Sequence, residues 1–199
     1  MRVFIVLGHT AALRPDFTLN DLPGSAGRLD ILCRCVTASF CLSHSIRRQV
    51  NVYLILQDQI TIRLDGRYLR HLNPDERSTG ALLQKALQKI ERAAPDLPEE
   101  LRNTPGIYIS RRGLAEILAQ LRQQVEQIIW LHEGGRDLRA AELGQSLAFV
   151  LSDHRDFSPE EEALLGEFAR LSLGPQILHA DHCITIVHNE LDRRAIQGD

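Results

Sequence analysis

From Pro105 onward the chain alternates short apolar runs with amphipathic ones, and this alternation restricts the possible folds more than any other feature. Ile107 to Ser110 reads as a strand, Leu114 to Val125 as a helix, and Ile128 to Leu131 as a strand that stops at His132-Glu133-Gly134-Gly135. Leu147 to Leu151 is a further strand, ended by Ser152-Asp153-His154. Ser158-Pro159-Glu160-Glu161 combines an N-cap, a proline at the first helical position and a glutamate at the third, which opens a helix to about Arg170. Leu171 to Leu173 closes the series as a brief strand. The pattern predicts an α/β fold, a mostly parallel sheet with helices on both faces. Ligands of such sheets bind beyond the carboxyl ends of the strands. Those ends here carry the loops 131–135, 152–154 and 173–178.

The first half of the chain is less regular. Arg2 to Leu7 is a buried opening strand ended by Gly8, and a long turn-rich loop leads to a helix from about Gly27 to Ser43. Leu29, Leu32, Cys33, Val36 and Phe40 mark its apolar side, which leaves Arg28, Asp30 and Arg34 near a glycine-rich entry of the kind that brings polyanions close to backbone N–H groups. An ordinary helix with charges on its outer face gives the same spacing. Val50 to Leu56 and Ile60 to Leu64 are strands in a hairpin or side by side. His71 to Gly80 reads as a polar loop, and a helix follows from Thr79 until a turn at Pro95-Asp96.

The last third holds the densest polar chemistry. Ile177, Ala180, Ile184, Val187 and Leu191 recur at spacings of three and four, one apolar stripe if the segment is helical, although Cys183 to Val187 is β-branched enough for a buried strand. The opposite side carries His179, His182, Cys183, His188, Asn189, Asp192 and Arg193. His179, His182 and Cys183, with His188 beyond, are a conceivable zinc set, but Cys183 points about 100° away from its neighbour on a helix and no second pair completes four ligands. No metal is therefore expected.

Composition narrows the function. Across 199 residues, 44% are apolar, 25% are charged and the net charge is −3, the balance of a globular chain and not of a uniformly basic nucleic-acid binder. No run approaches the ~20 apolar residues of a membrane span, and no signal peptide is recognisable at the N-terminus, so no membrane partner and a cytoplasmic location are expected. Of the 23 basic residues all but Lys85 and Lys89 are arginine, whose planar fork suits phosphate; a GC-rich genome yields the same bias. The four cysteines form no CxxC motif and read as buried thiols. Neither GxGxxG nor GxxxxGK[ST] occurs.

Taken together, LPGSAGRLDILCR, LNPDERST, LHEGGRD, FVLSDH and the run from SLGP to LHADHCITIVHNELDRR resemble the archaeal tRNA pseudouridine N1-methyltransferases of the SPOUT superfamily across nearly the whole chain. The resemblance implies one domain over residues 1–199, with a C-terminal trefoil knot whose part of the chain, about 105–199, binds S-adenosylmethionine, and a homodimer. By the same likeness Leu131, Ser152, Leu173, Gly174, Pro175, Gln176, Ile177, Leu178 and Cys183 line the cofactor pocket, with Ser152 standing where relatives are expected to carry glycine. The implied substrate is pseudouridine 54 in the T loop of tRNA.

Pseudouridine is joined to ribose through carbon, so its N1 keeps a hydrogen and can be alkylated. Asp192 and Asp30 are the candidate proton acceptors or orienting groups, Asn189 shares a helical face with Asp192, and Arg193 and Arg28 are candidates to hold phosphate or a developing oxyanion. Arg34 joins Arg28 as a candidate RNA contact. Two other readings stay open: N1-methylation of a ribosomal RNA pseudouridine, and an RNA-binding module without turnover.

Overall fold

The computed structural model describes residues 1–70, 72–93 and 99–197. Strand β1 (Arg2–Gly8) lies in the middle of a mixed sheet, because its residues are apolar on both sides. Phe4 and Val6 face one core, and Val3, Ile5 and Leu7 the other. Such two-sided burial is what parallel strands covered by helices on both faces show. β2 (Val50–Leu56) and β7 (Leu147–Ser152) flank it in parallel, and β6 (Gln127–Asp137) and β8 (Ala169–Ser172) extend the parallel half. β3 (Ile60–Asp65), β4 (Leu101–Thr104) and β5 (Ile107–Ser110) form an antiparallel half. The strand order is β4-β5-β3-β2-β1-β7-β6-β8. The antiparallel half follows from the three-residue connection after β2, which is too short for a crossover.

Both faces are covered, as the alternation predicts. Helices α1 (Leu22–Ser25), α2 (Leu29–Phe40), α3 (Glu76–Glu91) and α6 (Ala180–Gln197) bury apolar residues in one core. Helices α4 (Leu114–Leu121) and α5 (Pro159–Leu165) close the other. The stretch after Leu178 is helical, and Ala180, Ile184 and Val187 are buried against the sheet side that carries α2. Ile177, expected on that stripe, precedes the helix and is 80% exposed. Cys33 and Cys35 are buried, Cys41 and Cys183 half-buried, and all are free thiols.

Several boundaries differ from expectation for local reasons. The polar run at Asp75–Gly80 is helix from Glu76, because the Asp75 carboxylate accepts from Ser78 N–H at 2.7 Å and caps it. α4 stops at Leu121, before Val125, and α5 stops at Leu165, well before Arg170. Ala169 and Arg170 are strand instead. β6 does not stop at His132; it continues irregularly to Asp137 beside β8. Gly135 permits this, since a Cβ there would lie 2.7 Å from the backbone of Arg170 and Leu171. His71 and the turn expected at Pro95-Asp96 lie outside the described residues.

The most consequential departure is His188, assigned by pattern to the polar face but 3% exposed. Its Nδ1 faces the Arg2 guanidinium at 2.9 Å and its Nε2 faces Ser39 O at 3.0 Å. An arginine only donates and a carbonyl only accepts, so the ring is neutral with its proton on Nε2. Burial, then the Arg47 and Arg2 charges, push its pKa down to about 3. Because the unfolded chain binds a proton near pH 6.5 that the folded chain refuses, stability is lost as pH falls below 6.5. The unfolding free energy is expected to drop by up to about 1.4 kcal/mol per pH unit between pH 6 and 4.5. In His188→Gln, measured by urea titration, that slope should largely disappear.

Candidate functional site

Three loops meet at the carboxyl ends of β6, β7 and β8 and enclose a cavity of about 560 Å³. Of the expected cofactor residues, Leu131, Ser152, Leu173, Gly174, Gln176, Ile177, Leu178 and Cys183 line it; Pro175 shares the loop without lining the space. The volume falls within the ~300–1,000 Å³ of small-molecule sites. Leu131, Leu151, Leu173 and Leu178 give it apolar walls suited to a flat heterocycle. Glu133, Asp153, Asp156 and Glu162 face it with Arg155 as the arginine among them, an electrostatic setting that favours a cation. Gly174 has a φ of +152°, where side chains are strained, and nothing lies within 4 Å of where its Cβ would point.

Pattern reading missed what holds the middle loop in place. His9, just past the strand core of β1, faces Asp153 Oδ1 at 2.9 Å through Nδ1 and Glu161 Oε2 at 3.0 Å through Nε2. Its backbone N–H also donates to Asp153 Oδ2 at 2.9 Å. Both ring nitrogens meet carboxylates, so the ring is an imidazolium with two donors. The hydrogen bond to Asp153 leads in raising its pKa to about 9, against partial burial. Glu161 is at the same time the reciprocal partner of Ser158 in the capping box of α5. The pocket wall from Asp153 to Ser158 is thereby tied at both ends to β1. The sequence signal was available only in part: Ser158-x-x-Glu161 announced the cap, while nothing local announces His9 as its partner.

The candidate catalytic residues fall into two groups at opposite ends of the sheet. Asp30, 2% exposed, receives Arg28 Nε and Nη2 at 3.0 and 3.1 Å and Arg34 Nη1 at 3.0 Å. Burial resists its charge, but the two arginines prevail and hold it below the usual carboxylate range. Arg28 sits near enough to Asp153 to feel its charge, which puts this group at the pocket end. Asp192 lies roughly 18 Å further along α6 than the pocket-lining Ala180. There it binds Arg47 Nη2 at 2.6 Å and Arg2 Nη1 at 2.7 Å, beside the start of β1. Asn189 and Arg193 are exposed on the same helix. Within one chain the two groups do not meet.

The metal reading finds no support in the geometry. His179 and His182 stack edge to face with centroids 5.6 Å apart, Cys183 Sγ points toward Leu178 O, and His188 faces inward. Among the described residues no group of three His, Cys, Asp or Glu side chains is placed to hold an ion. Trp130, the single tryptophan, is 1% exposed beneath the Arg170 guanidinium, so it is a wall and not a platform for a base. Among the described residues no helix is long and apolar enough to cross a membrane.

The His9 link carries a pH signature opposite to that of His188. With a folded pKa above the unfolded 6.5, its contribution is complete below pH 6.5 and is lost as pH rises through about 9. Amide exchange at Asp153–Phe157, corrected for intrinsic rates, should accelerate across that window. In His9→Gln it should be fast already at pH 6.5 and vary little.

A model described as "Putative SAM-dependent RNA methyltransferase" matches residues 1–196. A Haloferax volcanii protein called tRNA (pseudouridine(54)-N(1))-methyltransferase is 50% identical over 194 residues, 96% of each chain. A Methanocella arvoryzae protein of the same name is 47% identical over 200 residues, 98% of this chain and 100% of its own. In three dimensions the chain resembles Archaeoglobus fulgidus Nep1, solved with S-adenosylhomocysteine, at a TM-score of 0.69, covering 98% of this chain and 99% of that one; at 20% identity the likeness speaks for the fold. With about half its residues shared over nearly the full length of both partners, the chain belongs to the tRNA (pseudouridine(54)-N(1))-methyltransferase family.

Proposed function

We propose that this protein transfers a methyl group from S-adenosylmethionine to N1 of pseudouridine 54 in the T loop of tRNA. The observation that carries the reading is the cavity itself: loops from three strands, distant in sequence, close one space with apolar walls and an acidic side, in a chain of this family. Those features fit an adenine together with a positively charged sulfur and amine. Leu131, Leu173 and Leu178 would hold the heterocycle, and Glu133, Asp156 and Glu162 would favour the cationic end. When bound, S-adenosylmethionine supplies a methyl group on a sulfonium, open to attack by a nitrogen.

The chain's own part is to place and not to push. Asp30 and Asp192 each bind two arginines and have little basicity left, so neither suits a strong base. Asp30 acts instead as the group that orients Arg28 and Arg34 toward the RNA. Alignment of the N1 nitrogen supplies much of the barrier reduction; as its N–C bond forms, the methyl–sulfur bond breaks with the electron pair left on the departing sulfide, and the N1 proton passes to water. Asn189, Asp192 and Arg193 reach the target only from a second copy, which fits the homodimer we propose. We also read residues 1–199 as one domain, located in the cytoplasm, and the return of the chain from outer strand β8 across β6 and β7 to α6 as the knotted passage.

Methyl transfer from labelled cofactor to two matched T-arm transcripts, with pseudouridine or uridine at position 54, tests the reaction. Labelling confined to the pseudouridine form and mapped to N1 is expected; no labelling with retained cofactor binding would redirect the search to ribosomal RNA. Gly174→Val should raise the KM for S-adenosylmethionine by about tenfold or more while leaving tRNA affinity unchanged, since it adds bulk only at a strained pocket position. Light scattering at micromolar concentration should return twice the mass of one chain.

A further inference from the structure

At the end of the sheet opposite the cofactor cavity lies a second cleft of about 370 Å³, lined by Arg48, Arg67, Tyr68, Arg70 and Arg102. Three elements bring them together. Arg48 precedes β2, Arg67 to Arg70 form the turn after β3, and Arg102 is on β4. All four arginines are exposed, and Tyr68 is 55% exposed, the one aromatic ring among the exposed large apolar side chains of the described residues. Arg48 fixes the turn by donating to Gly66 O at 3.1 Å and Leu69 O at 2.8 Å. The others have little or no internal partner. Arg67 reaches Asp65 only at 3.9 Å, and that carboxylate is also engaged by Arg63; Arg70 and Arg102 form no ion pair among the described residues. Several arginines elsewhere are neutralised by carboxylates, as at Asp30, Asp192 and Glu100. Gathering four cations with no carboxylate among the lining residues sets them against one another, offset among the described residues by the carbonyls on Arg48 and the distant Asp65.

We propose that this cleft anchors the phosphate backbone of the tRNA substrate, with Tyr68 packed against a sugar or an unpaired base. The inference rests on the tRNA reading and adds where the rest of that molecule lies. Strand β1 alone separates the two ends of the sheet by roughly 20 Å, at ~3.3 Å per residue. A phosphate in the cleft therefore belongs to RNA outside the reacting loop, where a double-helical stem presents backbone and not base edges. Arginine forks suit that target, and the net charge of −3 shows that the positive character is local.

Binding of full-length tRNA carrying pseudouridine 54 should be measured against salt for the wild type, Arg70→Glu/Arg102→Glu and the milder Arg70→Gln/Arg102→Gln. Removing one arginine–phosphate pairing should reduce the slope of log affinity against log salt by about 0.7–0.9. The expected result is an affinity about tenfold or more weaker at low salt, a slope smaller by one to two units, and a raised KM for tRNA. The KM for S-adenosylmethionine, and kcat at saturating tRNA, should hold. Unchanged affinity and slope in the folded Gln variant would overturn the assignment, as would a weakening with no change of slope. Failure of the wild type to methylate this tRNA would instead count against the reaction, and the salt slopes would still report on the cleft.

Discussion

The structure depends on the double-sided burial of β1. Phe4 and Val6 on one face and Val3, Ile5 and Leu7 on the other join two cores, and the strands on either side of it, β2 and β7, are buried on both faces in the same way. Because the strand is fixed on both faces, its two ends are rigid points, and each carries a polar device. At the carboxyl end His9 holds the wall of the cavity at the ends of β6, β7 and β8 through Asp153 and Glu161. At the amino end Arg2 meets His188 and Asp192 and fixes the far part of α6. The cavity is bounded by the start of α6 and by the loop tied to His9. One apolar strand thus sets both walls of the site.

These two devices place opposite demands on protonation. His9 is held charged by carboxylates, and His188 is held neutral by burial beside two guanidinium groups. Neutral solution satisfies both.

The sequence carried the architecture of the second half because alternation of strand and helix is periodic, and period is what burial reads. Eight of the nine residues assigned to a cofactor pocket by resemblance, and not by spacing, line a cavity at the strand ends. What the sequence could not carry was pairing between distant residues. His188 follows the polar side of its helix by number, yet the crossing of α2 places Ser39 above it and turns that edge inward. Asp30 and Asp192 looked alike as acids near arginines, and only the fold puts them at opposite ends of the sheet. Thr79 seemed the start of a helix because the residues before it are turn formers; Asp75 is one of them, and it uses that chemistry to cap. The antiparallel pairing of β2 and β3 was legible as one of two readings of their short connection, while the pairing of β3 with β5 and of β5 with β4 had no local signal.

Arginine usage shows how a composition that said little becomes informative in space. A bias toward arginine can arise from the genome, and a net charge of −3 gives no reason to expect polyanion binding. Once the pairs are drawn, the arginines divide. Those at Asp30, Asp192 and Glu100 lie against carboxylates whose geometry is bidentate or shared, and they serve to fix helices and strands. Of those around Tyr68, Arg48 holds the turn through two carbonyls and Arg67 meets Asp65 only at 3.9 Å, whereas Arg70 and Arg102 form no ion pair among the described residues, and replacing these two with neutral side chains would relieve repulsion inside the fold. A genome bias distributes arginine without regard to pairing. It therefore does not account for arginines from three separate segments converging on one cleft with no carboxylate in its lining, whereas a polyanionic partner does.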